Sequence, residues 1–431
     1  MKNSFHRRAC LLLLAAALLL AGCFPAKNVL YTSTPSERSS NEIHLTFFGY
    51  KYEPLNVLAI EKALHDYMAE HPQTTIAYES IKGRDYYAAL TKRLASGNGD
   101  DIFMVDQATL LSLDKPNQLA DLSDLSTISS FNALVKSQMY ADDGKLYYVP
   151  TSISAFGLYC NLELLEEHGQ PVPATWPEFT AVCDHFVQQG ITPVIANNDI
   201  SLKTLVLAKG LYPIYQSQDP PQALRHFNNG EADLAQALRP GFDLVEEMIT
   251  SHYIDCAAAL QTEKTQDDLT QFARGQAPFM LSGAWAAPRL REAAPDLDFA
   301  VYPYPVLTDG SVLVINVDTR LSVNAHSPHL AAAKDFVQYL THPEVLWEFV
   351  NSQSSFSPLQ NSRPADDAAI QPLEPYLTNG RCILGADDNL HYPIWELSRQ
   401  AVVHMLEGAS ADQAAAYLDE QLVLWREGAQ I

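Results

Sequence analysis

The chain has 431 residues, with 51 acidic against 28 basic side chains and a formal net charge of −23. So negative a surface repels a phosphate backbone, which excludes nucleic acid as a partner. The length exceeds what one hydrophobic core usually organises, so two lobes are expected.

Lys2, Arg7 and Arg8 give a positive start, and the stretch from Ala9 to Gly22 is uncharged and rich in Leu and Ala. That run is shorter than the roughly 20 apolar residues of a spanning helix and fits the apolar region of a signal peptide. It ends in Leu20-Ala21-Gly22-Cys23, which resembles the bacterial lipobox. The resemblance implies a lipid on Cys23 as the new N-terminus. Each acyl methylene buried in the membrane would add about 0.8 kcal/mol to the anchor. Removing residues 1–22 takes three of the 28 basic residues and none of the 51 acidic ones, leaving a charge of −26. From Phe24 to Asn41 the chain holds Ser33, Thr34, Pro35, Ser36, Ser39 and Ser40. This composition buries too little surface to fold and reads as a flexible tether.

Strands and helices then alternate. Ile43, Leu45 and Phe47 mark a strand. Val57, Ile60, Leu64, Tyr67 and Met68 recur at helical spacing. Thr74 to Glu79 is a second strand. Tyr87, Leu90 and Leu94 mark a helix stopped by Gly97, and Asp101 to Val105 is a third strand. This βαβαβ order argues for a mostly parallel sheet with helices on both faces. After the turn Asp142-Asp143-Gly144, residues 146–150 and 153–159 read as extended. They lead into a helix over 162–167 that ends at Gly169. Thr175-Trp-Pro-Glu178 has the form of a capping box, with Gly190 closing its helix, and a strand follows over 191–196. A second α/β lobe thus begins near residue 151. Residues 266–274 read as helix and 277–281 as strand, and Gly283-Ala284-Trp285 opens another helix. Ser327-Pro328 starts a helix, and Thr341-His-Pro-Glu344 repeats the capping-box form. Cys160, Cys183, Cys256 and Cys382 are widely spaced without a Cys-x-x-Cys, and read as buried thiols. No spacing suits zinc, so no metal or cofactor is expected.

Five blocks carry a family resemblance over nearly all of residues 42–425. They are Gly99-Asp-Asp-Ile-Phe-Met-Val-Asp106, Gly144-Lys-Leu-Tyr-Tyr-Val-Pro150, and Leu158-Tyr-Cys-Asn161 through Thr175-Trp-Pro-Glu-Phe179. The other two are Phe272 to Trp285, with its Phe-x-x-Gly-x-x-x-Met-x-x-x-Gly-x-Trp pattern, and His329 to Glu344. Together they resemble the family 1 extracellular solute-binding proteins, which include maltose- and oligosaccharide-binding proteins of ATP-driven (ABC) importers. Asp100 stands where that family usually has Pro. The resemblance implies the two-lobed α/β fold of periplasmic binding proteins (type II), with the ligand in the interlobe cleft. Residues 42–150 with 311–352 would form one lobe, and 151–310 with 353–431 the other. Crossings are expected near 148–152, 305–312 and 352–358. It also implies a monomer that hands its ligand to membrane permease subunits, outside the cytoplasm and anchored through Cys23.

A sugar needs flat aromatic faces for its C–H patches and planar polar groups for its hydroxyls. Ligands of open α/β sheets sit beyond the carboxyl ends of strands. Trp285 follows a strand after two small residues, and the family's Trp in this block often stacks on sugar. Trp395, in His391-Tyr-Pro-Ile-Trp395, aligns with a second stacking aromatic. Asp106 ends a strand and either accepts ligand hydroxyls or caps the next helix. Tyr50 and Phe48 end the first strand. Ser154 aligns with an acidic ligand residue of maltose binders, which argues against maltose itself. Tyr302 and Tyr304 flank the second crossing, and Tyr304 is the candidate kept. No Gly-x-Ser-x-Gly elbow, His-Glu-x-x-His or phosphate loop is present. Two readings compete with capture for import: a surface glycoside hydrolase with paired carboxylates, and a sensor or adhesin without a transporter. An acidic cleft centred on Asp106 would also suit a cationic ligand.

Overall fold

The computed structural model describes residues 29–32, 42–264 and 266–428. The apolar leader over 1–22 and the lipobox cysteine Cys23 lie outside the described residues. So does the predicted tether, except Val29–Thr32. Those four residues form β1, an antiparallel edge strand running from Val29↔Ile81 to Thr32↔Tyr78.

Among the described residues ten strands make one mixed sheet. After β1 come β2 (Ile43–Gly49), β3 (Thr74–Ile81), β4 (Ile102–Val105) and β5 (Val149–Asn161). β6 (Val194–Ile195), β7 (Phe279–Gly283), β8 (Phe299–Tyr302), β9 (Leu313–Val323) and β10 (Cys382–Leu384) follow. The order is β1-β3-β2-β4-β9-β5-β7-β6, with β10 beside β9 and β8 beside β5. β2 runs parallel to β3 and β4, as the βαβαβ pattern predicts. β6–β7 and β9–β10 are also parallel. The remaining pairs, β4–β9, β5–β9, β5–β7, β5–β8 and β1–β3, are antiparallel. The sheet is therefore mixed, not mostly parallel. The reason is that β5 and β9, of 13 and 11 residues, run antiparallel to each other through its middle. They join two α/β lobes, and Ile153 also bridges Phe356 on a third connecting segment.

Local signals in the sequence set many boundaries. Thr175 and Glu178 close both halves of the capping box on the helix Trp176–Gln188. Gly169 and Gly190 take the left-handed conformation (φ 62° and 76°) that ends their helices. The second capping box does not form. Thr341 instead ends the helix Leu330–Leu340, its hydroxyl bonding the Val337 and Gln338 carbonyls, and His342 precedes the helix Pro343–Asn351.

The core falls into two clusters. One packs the helix Pro54–Glu70 and the helix Leu330–Leu340 against β2–β4 and continues behind the middle strands through Ile153, Ala155, Ile315 and Val317. The other packs the helices Ser201–Tyr215, Leu234–Thr250 and Ile394–Leu406 around Phe156, Leu158 and Val314. The middle strands thus bury Ile153, Ala155, Ile315 and Val317 on one face and present a different set on the other.

Cys160, Cys183 and Cys382 are buried free thiols, as the spacing suggested, whereas Cys256 is free but only half-buried. Burial pushes all four thiols up in pKa. Among the described residues no group of three metal-ligating side chains occurs, and no helix is long and apolar enough to cross a membrane.

Candidate functional site

Register decides what the middle strands show on their second face. β5 and β9 pair Phe156 with Val314, Ser154 with Asn316 and Ser152 with Asp318. Directly opposed residues share a face, and so do residues two apart. Phe156, Ser154, Ser152, Val314, Asn316 and Asp318 therefore line one surface. Ser154 and Phe156 are one strand step apart, about 6.5 Å along the strand.

At the Phe156 end stand the two tryptophans. Trp285 lies in the short turn Ala284–Ala286 just after β7, with its indole edge-on to Phe156 (centroids 5.1 Å, 89°). Its ring folds back over Gly283, where any Cβ would fall inside the ring's own van der Waals surface, so a side chain at 283 would displace the Trp285 indole. Trp395, in the first turn of the helix Ile394–Leu406, packs on the same Phe156 (4.9 Å, 51°). Such contacts contribute roughly 0.5–1.5 kcal/mol each beyond area burial. Both tryptophans are half-buried, whereas Phe156 is 3% exposed. Phe156 is thus the wedge that sets the two indoles.

Lys203 sits over the Trp395 ring, 4.4 Å from its centroid, and pairs with Asp199 at 2.9 Å. Asp199 also pairs with Lys264. Burial pushes Lys203 down to about 8 against the pull of Asp199. Burial alone would raise Asp199, but the two lysines override it and hold it well below the usual range.

At the other end Asp318 gathers the polar groups. Its Oδ1 accepts from the Tyr50 hydroxyl (2.6 Å) and the Thr319 N–H (2.7 Å). Its Oδ2 accepts from Ser154 Oγ (2.7 Å) and Lys51 Nζ (3.0 Å). Burial opposes the Asp318 charge, yet the Lys51 ammonium and the Tyr50 and Ser154 hydrogen bonds prevail and hold it ionised well below the usual range. Tyr50 is pushed up by burial and by that carboxylate. Its ring lies 6.0 Å from Tyr87, which burial and the nearby Asp106 push up in turn.

Five of the residues expected from sequence fall on this surface or beside it: Trp285, Trp395, Tyr50, Ser154 and Asp106. Of the two roles foreseen for Asp106, the structure shows the helix cap. Its Oδ1 caps the helix Gln107–Ser112 by accepting from Thr109 N at 2.8 Å, and its carboxylate stands close enough to perturb Tyr50 and Tyr87. Two expectations are corrected. Phe48 is 0% exposed, packed at a tilt on Tyr86 (4.6 Å) under the Arg93 guanidinium (3.8 Å), because β2 is buried on both faces at its carboxyl end. Tyr304 is likewise 0% exposed, its hydroxyl accepting from Thr204 Oγ1 at 2.9 Å inside the second core. Neither can touch a ligand here. Phe156, Asn316, Asp318 and Lys51 were not foreseen. The signal for two of them, Asn316 and Asp318, was the alternation in Ile315-Asn-Val-Asp-Thr-Arg-Leu321, which reads as a strand of period two.

The arrangement offers aromatic edges and faces at one end and a neutralised cluster of donors and hydroxyls at the other. No metal-ligating constellation accompanies it among the described residues. Such a surface is chemically matched to a molecule with both C–H faces and polar groups.

Residues 62–373 match the family model for bacterial extracellular solute-binding proteins. A multiple sugar-binding protein of Streptococcus mutans is 20% identical over 361 residues, covering 83% of each chain. Among solved structures, RafE in complex with raffinose has a TM-score of 0.69 at 20% identity, covering 88% of this chain and 98% of that one. A sugar transporter of Bacillus licheniformis in complex with stachyose has a TM-score of 0.68 at 19% identity, covering 88% and 99%. At those identities the structures establish a shared fold.

Proposed function

The chain belongs to the bacterial extracellular solute-binding proteins, and from that premise we propose that it captures a neutral mono- or oligosaccharide between its lobes and delivers it to the permease of an ABC importer. Its family is one of binding proteins that act outside the cytoplasm. The observation that carries the ligand class is the surface on β5 and β9. Trp285 and Trp395 flank Phe156 one strand step from Ser154, Asp318 and Lys51. Indoles cover the C–H patches of a pyranose, and Lys51, Ser154 and Asn316 serve its hydroxyls. The Asp318 charge is offset by Lys51, so the carboxylate at the centre of the polar end is already neutralised. This favours a sugar over a polyamine. The multiple sugar-binding relative and the oligosaccharide complexes of the structural neighbours point the same way.

Capture without chemistry fits the acids as well. A glycoside hydrolase needs one carboxyl held protonated beside the scissile bond. Asp318 is instead held ionised by Lys51, Tyr50 and Ser154. Of the acids with raised pKa, Asp387 and Asp388 are bound to the Tyr215 and Tyr148 hydroxyls, and Asp100 to the Arg93 guanidinium. The protein is tethered to the membrane through lipid on Cys23, and works as a monomer.

Thermal-shift screening over a library of neutral oligosaccharides, polyamines and amino acids tests this reading. One class of sugar is expected to raise the melting temperature, since ligand at 100 Kd adds about 2.7 kcal/mol. A rise with polyamines or amino acids, and none with any sugar, would reject it.

A further inference from the structure

Thr319 has φ = 45° in the middle of β9. That left-handed region is sparsely used by any residue with a side chain, and a β-branched one there is an outlier. Thr319 is also sealed, at 1% exposure. The ladder pairs Ser152 with Asp318 and Pro150 with Arg320. Between those pairs the Thr319 N–H turns away from β5. It donates to Asp318 Oδ1 (2.7 Å) and to the Tyr50 hydroxyl oxygen (3.2 Å). The Thr319 carbonyl accepts from Thr151 Oγ1 (2.9 Å), and its own hydroxyl meets Ser152 Oγ at 3.0 Å. The unusual backbone is thus held in place by the polar end of the site itself.

Two further observations place this residue at the joint between lobes. Ser354, on the segment where Phe356 bridges β5, is also non-glycine with positive φ (47°). And Glu53, after β2, pairs with Arg289, after β7, at 3.2 Å across the crossing strands. The arrangement with Thr319 left-handed is the one in which the two sides meet through that ion pair.

We propose that Thr319 is a positioning residue for ligand capture: the Asp318–Tyr50 clasp holds its backbone in the left-handed conformation, so that engagement of the clasp by ligand is transmitted to the crossing strand and sets the interlobe angle. The proposal rests on the reading that this surface binds the sugar. Ligand that tightens the clasp favours the arrangement in which Glu53 meets Arg289, and loss of the clasp releases β9 toward ordinary extended geometry. Strain stored in a connecting strand is a means of making a small contact change large.

Thr319→Gly removes the conformational penalty without touching a ligand group, because glycine takes this φ freely. Thr319→Val keeps the branching and loses only the hydroxyl. In small-angle scattering of the ligand-free protein, the glycine variant is expected to be more compact than wild type, and the valine variant to match wild type. With the sugar found in the screen, the glycine variant is expected to bind 3- to 10-fold tighter, through slower dissociation at an unchanged association rate. Identical ligand-free scattering for wild type and Thr319→Gly would overturn the proposal. So would the same compaction in Thr319→Val, which would assign the effect to the Ser152 contact. If no sugar binds wild type, the functional reading fails while the scattering comparison still decides the role of Thr319.

Discussion

Replacing Trp285 with alanine is expected to remove most of the sugar-induced rise in melting temperature while lowering the ligand-free melting temperature by only a few degrees. The ring is half-exposed, and its ring partner is Phe156. Its loss therefore removes an edge contact of about 0.5–1.5 kcal/mol and leaves the second core intact. Aromatic anchors that cover a ligand typically carry about 2–4 kcal/mol of binding. Taking the middle of that range, affinity falls roughly 100-fold. Ligand supplied at 100 times the wild-type Kd is then near the variant's Kd, and its stabilisation drops from about 2.7 to about 0.4 kcal/mol. The check is the same thermal-shift titration on both proteins. A variant that shifts like wild type would remove Trp285 from the site.

Arg320→Met is expected to be the most destabilising single change near the crossing strands, by about 3–5 kcal/mol at neutral pH. Arg320 is 3% exposed on β9, pairs with Asp388 at 3.1 Å and lies over the Tyr148 ring. Burial raises Asp388 even with Arg320 present, and Asp387 beside it is raised by burial too. Without the guanidinium, the Asp388 carboxyl keeps its burial and the repulsion of Asp387, with only the lesser pull of Lys115 against them. The segment that carries them is a tie between the lobes. Gln107 Nε2 donates to the Leu390 carbonyl (3.2 Å), Asp388 N donates to Gln138 Oε1 (2.7 Å), and Asn228 Nδ2 donates to the Asn389 carbonyl (2.7 Å). The pH dependence has a definite sign. A carboxyl whose folded pKa lies above its unfolded value binds more protons when folded, so its burden grows as pH rises through that window. The deficit of Arg320→Met relative to wild type should thus shrink on going from pH 7 toward 4. Urea unfolding at several pH values measures it. Adding Asp388→Leu should restore most of the loss at pH 7. A deficit that grows in acid would contradict the assignment.

Much of the first lobe could be read directly, because its strands and helices follow the periodicities of buried and exposed residues. Leu45 and Phe47, and then Val57, Ile60 and Leu64, are where pattern and burial coincide. The capping box of Thr175 and Glu178 and the helix ends at Gly169 and Gly190 are local rules that tertiary structure left alone. Thr341 shows such a rule overridden, since its hydroxyl found carbonyls in the helix it ends. The site was legible through its aromatic residues, because Trp after a strand end and a pair of small residues is a strong pattern. Its polar organiser was not. Asp318 owes its role to Tyr50 and Lys51, some 270 positions away in the chain, and to a register that sets Ser154 one step from it. Phe48 and Tyr304 misled for the converse reason. Their positions at strand ends suggested the site, and only the packing of Tyr86 and Thr204 around them reveals them as core.

Hydrogen exchange with and without a saturating neutral oligosaccharide tests the central claim most directly. Binding at the β5–β9 surface predicts slowed exchange at residues 50–53, 283–289 and 385–395, which frame Tyr50, Trp285 and Trp395, and none at the outer groove over 404–417. Slowing confined to that groove, with 283–289 and 385–395 unchanged, would contradict it.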